Sequence, residues 1–198
     1  MIHSATRTGP VDLLDPAPET ITLEAMAHGL GQLNRWTGCL EVPFAVAQHS
    51  VLVYDLFISI APQLRPWALW ALKHDGHEYL IGDITTPTVE LLCAYDAGFA
   101  RRVDSIKYRL DRLIERRFGL PDAPREVHDA VTEADQLAAA VEWRTFMPAA
   151  NGRFPRPLSR PLPRIRPRPL TWAAAADLFR QTFERELATK AWEGAANA

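Results

Sequence analysis

The stretch WALWALKHDGHEYLIGDITTP, from Trp67 to Pro87, starts as an apolar run and closes with two histidines, two aspartates and a glutamate before a turn. Its apolar residues imply a core helix, and a buried helix offers no water to five titratable groups. Pro66 suits the first turn of that helix, which is predicted to reach about Leu80, with Gly82 as its stop. At about 100° per residue, His74, Glu78 and Asp75 fan across one arc of roughly 100°, with Glu78 between the other two. His77 falls beyond His74, about 160° from Asp75, and is read as standing apart. The adjacent His74-Asp75 pair can offer one nitrogen and one oxygen to a single cation.

Two further residues break the pattern of their own helices in the same sense. A helix is predicted from Phe44 to Ile60, and His49 sits on its apolar stripe of Ala45, Leu52, Val53 and Leu56. Another runs from about Pro124 to Phe146, with Asp135 on the face of Val131, Ala138 and Ala139. Taken singly, His49 reads as a core histidine satisfied by one hydrogen bond, and Asp135 fits an ordinary buried hydrogen bond as well as it fits ligation. Taken together, His49, His74, Asp75 and Asp135 make a four-ligand set on three inward-facing helices. Mixed nitrogen and oxygen ligands suit one divalent transition-metal ion, Mn, Co, Zn or Ni.

Around this centre the chain reads as helices punctuated by proline and glycine. Residues 1–20, with Gly9, Pro10, Pro16 and Pro18, read as an irregular extended arm or a short hairpin. A helix capped by Thr22 is predicted to reach about Arg35, although Gly29 and Gly31 weaken it. Pro87 opens a short helix, and a charged amphipathic helix follows from about Asp96 to Phe118. Residues 147–170 hold six arginines, seven prolines and no acidic residue, so they are expected to form an extended surface loop. A last helix spans 171–192. With hardly a strand candidate and no internal repeat, the expected fold is an all-α bundle, one domain over 1–198 with its core at about 20–146.

Composition narrows the classes. The 198 residues, 47% of them apolar, suffice for one compact domain and are marginal for two. A formal charge of −2 gives no global attraction to nucleic acid or to a membrane surface, so any nucleic-acid role of the arginine segment is accessory. Cys39 and Cys93 lie far apart without a CxxC pairing, so neither a disulfide framework nor a thiolate metal site is indicated. The N-terminal MIHSATRTGP has no signal-peptide apolar core, and no apolar stretch nears the roughly 20 residues of a membrane span, so a cytoplasmic protein is expected.

The order His49…His74-Asp75…Asp135 resembles the H…HD…D signature of HD-domain metal-dependent phosphohydrolases. Three further features sharpen the resemblance over about residues 20–145. Asn34-Arg35-Trp36 precedes the first histidine, Glu78 stands three residues after Asp75, and GDITTP is similar to a GD-x-x-TP segment. Together they resemble bacterial 5′-deoxynucleotidases and phage deoxynucleotide triphosphohydrolases that act on dATP. The resemblance implies an HD-domain helical bundle and metal-dependent cleavage of a 5′ phosphoester, foremost that of a deoxynucleoside 5′-monophosphate. A triphosphohydrolase releasing triphosphate and a non-catalytic nucleotide sensor are the alternatives.

Glu78, beside the ligands, is the candidate for proton transfer or water positioning, and the resemblance places Asp83 in the same work. Read alone, Asp83 is equally a turn-capping residue after Gly82. Arg35 offers phosphate a planar fork of donors. Trp36 alone reads as core packing, whereas the resemblance sets it against deoxyribose and implies a deoxyribo preference. Gln48 departs from the Glu that relatives often carry there, a change expected in the surroundings of the metal. His3, His28, His77 and His128 are read as structural. The arginine segment is read as a solvated linker or strap, with phosphate binding over the cleft as its alternative. The helix at 96–118 is either a solvated face or a homo-oligomer contact.

Overall fold

A computed structural model describes residues 2–195. The N-terminal arm is a hairpin, β1 (His3–Thr6) pairing antiparallel with β2 (Gly9–Asp12) so that His3 faces Asp12. Val11 is buried, and Ser4 Oγ donates to the Leu80 carbonyl at 2.8 Å, which fastens the hairpin to the histidine-bearing segment. All other regular structure is helical: α1 (Leu23–Gln32), α2 (Val46–Ile60), α3 (Ala68–Lys73), α4 (Glu78–Ile81), α5 (Thr86–Cys93), α6 (Phe99–Phe118), α7 (Arg125–Phe146), α8 (Trp172–Thr189) and α9 (Ala191–Ala195). The fold is all-α, as the apolar spacing predicts. None of these helices is long and apolar enough to cross a membrane.

Helix α2 is the centre. Ten of its fifteen residues are buried, and α1, α3, α7 and α8 pack around it. Such enclosure forces any polar residue on the buried faces of α2 to find a partner inside the protein. Thr22 caps α1 by accepting from the Ala25 amide at 3.1 Å. Gly29 and Gly31 each cost about 1 kcal/mol of helix propensity relative to Ala. A Cβ on Gly29 would stand 2.8 Å from Tyr79 Cβ, and one on Gly31 2.8 Å from the Trp172 carbonyl oxygen, so close packing against α4 and α8 requires both.

Helix α1 ends at Gln32, short of the predicted Arg35. The backbone there pairs instead with the approach to α2, Arg35 N donating to Phe44 O and Val46 N to Leu33 O, each at 2.9 Å. Trp36 and Thr37 follow in the left-handed region, at φ 58° and 51°, a conformation costing a non-glycine residue about 1–2 kcal/mol. The predicted helix from Pro66 to Leu80 is three pieces: a 3₁₀ segment (Pro62–Trp67), α3 and α4. Between α3 and α4, Gly76 N bonds Lys73 O and Glu78 N bonds Asp75 O, a three-residue spacing tighter than an α-helix. Gly82, at φ 78°, ends α4 as expected. The last helix breaks at Lys190 into α8 and α9.

The arginine- and proline-rich segment is extended but is not a free linker. Trp143 Nε1 donates to Gly152 O at 3.0 Å, and Arg160 grips Glu133 with two bonds of 2.8 and 2.9 Å. Arg144 donates to the carbonyls of Pro163 and Ile165, while Leu158, Leu162 and Leu170 pack on the core. Gln48 closes the far end, donating to Arg168 O at 2.6 Å and accepting from Leu170 N at 3.0 Å. Residues 152–170 therefore form a strap fastened to α7 and the start of α2.

Candidate metal centre and cleft

Burial dictates the tautomers at the centre. His49 on α2 is fully buried, and its Nδ1–H donates to the Glu142 carboxylate at 2.5 Å. His74, just past α3, donates Nδ1–H to the Ala71 carbonyl at 2.8 Å. Each ring therefore turns Nε2 inward, and among the described residues neither Nε2 has a hydrogen-bond partner. Both face the same two carboxylates. His49 Nε2 lies 3.1 Å from Asp135 Oδ1 and 3.6 Å from Asp75 Oδ2; His74 Nε2 lies 3.9 and 3.2 Å from the same atoms. Donors bound to a first-row ion at about 2.0–2.2 Å stand about 3–3.5 Å apart, a spacing met by His49 with Asp135 and by His74 with Asp75, while the other two pairs are wider. His49, His74 and Asp135 thus form one group whose donor atoms could share an ion, and Asp75, beside both histidines, groups with His77 and Glu78 in a second.

The charges agree with that reading. Burial disfavours protonated His74, but Asp75 and Asp135 outweigh it and push the imidazole up to about 9; His49 is raised by Glu142 and Asp135 against burial and Arg35. Burial raises Asp75, Asp135 and Glu142, and the facing histidines, with Arg35 on Asp75 and Glu142, reverse this, holding all three below the usual carboxylate range. A divalent cation here would take the place of the protons that the two histidines otherwise hold against these carboxylates.

Glu142 is the residue that sequence reasoning missed. Fully buried on α7, it accepts from His49 Nδ1, from Trp36 Nε1 at 2.8 Å and from Arg35 Nε at 3.3 Å. One carboxylate thereby orients a candidate ligand and both residues of the Arg-Trp pair. It lies seven residues after Asp135, on the same helical face, and that spacing is the signal that marks it.

The centre floors a cleft of about 430 Å³. Arg35, Lys107 and Arg156 bring positive charge to it, Trp36, Trp143 and Phe154 bring rings, and Glu78 and Asp83 lie in its wall. Glu78 is 3% exposed, and its Oε2 has no partner. Burial first, then the charges of Asp75 and Asp83, push its carboxyl up to about 9. Asp83 is raised by burial and Asp75 against the pull of Arg35. Among the described residues no hydrogen bond reaches the Asp83 carboxylate, so it does not cap the turn.

Two expectations need correction. Gln48 does not face the centre: its amide uses both donor and acceptor on the strap, a pairing a carboxylate could not complete. His77 is less remote than a regular helix implies. The tight turn brings one of its nitrogens within 4.8 Å of carboxylate oxygens of Asp75 and Glu78, while Nδ1 bonds Asp111 at 2.9 Å. His128 lines a second cavity of about 520 Å³ on the α6 side of His74, and His28 packs edge-on against Trp172. Cys39 and Cys93 are both free.

No protein-family model matches the chain. It is 35% identical over 176 residues to the uncharacterized protein RCAP_rcc00048 of Rhodobacter capsulatus, covering 83% of this chain and 86% of that protein. It is 30% identical over 141 residues to the uncharacterized protein YfdR of Escherichia coli strain K12, covering 68% of this chain and 70% of the relative. Likeness of this extent takes in most of each chain, and the protein belongs to the family of RCAP_rcc00048 and YfdR.

Proposed function

We propose that this protein is a metal-dependent phosphohydrolase of the HD-domain type that hydrolyses the 5′ phosphoester of deoxynucleotides, foremost deoxynucleoside 5′-monophosphates. One observation carries the reading: two buried imidazole Nε2 atoms without hydrogen-bond partners converge on two carboxylates at the floor of a cleft that also holds Arg35 and Glu78. A divalent ion held by His49, His74, Asp75 and Asp135 supplies Lewis-acid polarisation of a phosphoryl oxygen and a water of lowered pKa. Arg35 spends Nε on Glu142 and sets Nη1 in an ion pair with Asp75 at 3.7 Å, which leaves Nη2 for phosphate. Glu78, buried in the cleft wall with Oε2 unpartnered among the described residues, is the group placed to pass a proton to the departing 5′ oxygen, with Asp83 beside it. Trp36 has given its N–H to Glu142, so it offers a sugar only an apolar ring. A 2′-hydroxyl left unpaired against that ring costs about 1–3 kcal/mol, which favours deoxyribose about 5- to 150-fold.

The test is a panel of deoxy- and ribonucleoside mono- and triphosphates, each with Mn, Co, Zn or Ni, with phosphate and triphosphate release measured separately. Metal-dependent phosphate release from a deoxynucleoside monophosphate is expected, and full activity after exhaustive chelation would falsify the reading. Lys107 and Arg156 favour a second reading, hydrolysis of a deoxynucleoside triphosphate. Both line the cleft; among the described residues Arg156 has no carboxylate at ion-pair distance, while the charge of Lys107 acts on Glu78 and Asp83. Release of intact triphosphate is its signature.

A further inference from the structure

Helix α7 presents Gln136, Ala139 and Trp143 to the cleft, at positions i, i+3 and i+7 of one face. Ala139 is the small residue between an amide and an indole, so the wall is recessed there by the depth of a side chain. Trp143 donates its N–H to Gly152 O and packs edge-on against Trp36 at 5.3 Å and Phe154 at 5.9 Å. With the Trp36 N–H held by Glu142, the rings bordering the recess have no polar atom left to satisfy. Gln136 is the opposite case. Its half-buried amide has no hydrogen-bond partner among the described residues, leaving donors and an acceptor toward the cleft. Phe154 is a half-buried ring on a strap whose neighbouring residues are exposed.

We infer that this recess is a nucleobase subsite, in which the base stacks on Phe154 and meets Trp143 edge-on while Gln136 hydrogen-bonds its rim. The inference rests on the nucleotide reading of the cleft and extends it to the part of the substrate remote from the phosphate. A flat heterocycle with a polar rim is the ligand that fits two rings and one free amide. The placement suits it: Ala139 lies one turn, about 6 Å, beyond Asp135 along α7, the reach of a sugar between its phosphate and its base. The strap is then part of the substrate site, since Phe154 stands in the cleft because Gly152 is bonded to Trp143.

The experiment compares dAMP with base-free 2-deoxyribose 5-phosphate on the Mn-loaded full chain, by calorimetric binding and by phosphate release. The wild type should favour dAMP, and Phe154→Ala should shrink the dAMP-to-base-free ratio by about 5- to 150-fold, the scale of one base–aromatic stack. Gln136→Ala should preserve most of that ratio and alter the order of preference among dAMP, dGMP, dCMP and dTMP. Equal treatment of dAMP and the base-free sugar phosphate by the wild type would overturn the subsite, as would an unchanged ratio in Phe154→Ala. Binding separates this outcome from the fate of the hydrolase reading. If no phosphate is released but dAMP binds more tightly than the base-free compound and Phe154→Ala removes the difference, the subsite stands and the hydrolase reading falls.

Discussion

Glu142 gathers three donors at one buried carboxylate, and its removal should be felt at each of them. In Glu142→Gln the amide keeps one acceptor oxygen and turns an NH₂ toward either His49 Nδ1–H or Trp36 Nε1–H, so one buried donor pair must oppose another. Partners that orient a metal-binding histidine are typically worth about 10- to 100-fold in metal affinity. Glu142→Gln should therefore weaken Mn or Co binding by about that factor, read by calorimetry. Unaltered affinity would show that His49 needs no such partner. Glu78 should behave differently, because its carboxyl lies in the cleft wall and outside the His49–His74–Asp135 group, within 4.8 Å of Asp75 and His77. Glu78→Ala is expected to keep metal, measured by elemental analysis, and to lose about 10²-fold in turnover, the scale of a proton-transfer group. Loss of metal along with activity would make Glu78 a ligand.

At the scale of elements, the strap is fixed by side chains far away in sequence. Gln48→Glu replaces the donor to Arg168 O with a second acceptor, and an opposed buried pair costs about 1–3 kcal/mol. Most arginines of the strap precede proline, leaving Arg153–Phe154 and Arg164–Ile165 as bonds open to trypsin. Gln48→Glu should speed tryptic cleavage at Arg164–Ile165, timed by mass spectrometry; a rate equal to wild type would mean that Arg144 alone holds the segment. The same distance explains what could be read from the sequence. Helices α2, α6 and α7 lie within a few residues of their predicted bounds, because apolar spacing and proline punctuation are local signals. His49 and Asp135 were legible as polar residues on apolar stripes. The Gln48 partner lies 120 residues away, and no local pattern encodes it. The break after α3 is local and tertiary together: a Cβ on Gly76 would meet the Lys73 carbonyl oxygen at 2.9 Å, then Ile114 Cδ1 at 3.2 Å and Met26 Sδ at 3.3 Å, neighbours supplied by α6 and α1. Glu142, flanked by Trp143 and Arg144, resembles the charged end of an amphipathic helix, and only its heptad relation to Asp135 separates it from solvent-facing charge.

Across the whole molecule, α8 must be held against α2 for the core to close, and a second buried carboxylate does this away from the cleft. Glu186 on α8, 3% exposed, accepts from Tyr54 Oη at 2.6 Å and from two nitrogens of Arg65 at 2.7 and 2.9 Å. Burial raises its carboxyl, but the bonds from Arg65 and Tyr54 prevail and hold it below the ordinary glutamate value. The unfolded chain, with glutamate near 4.3, then takes up this proton before the folded chain does. Stability from Glu186 is fully present above that value and is lost as pH falls through the lower folded value. Glu186→Gln lacks the titration and loses charge-assisted bonds worth about 1–3 kcal/mol, or about 2–4 °C of Tm for each kcal/mol at this chain length. The Tm gap between wild type and Glu186→Gln should be constant from about pH 6 to 8 and narrow steadily below about pH 5. Scanning calorimetry across that range checks it in the metal-free protein, where the remaining carboxylates are common to both chains and cancel. A gap that widens on acidification would mean that burial of Glu186 outweighs its partners, and that the Tyr54–Arg65–Glu186 clasp is not what holds α8 in place.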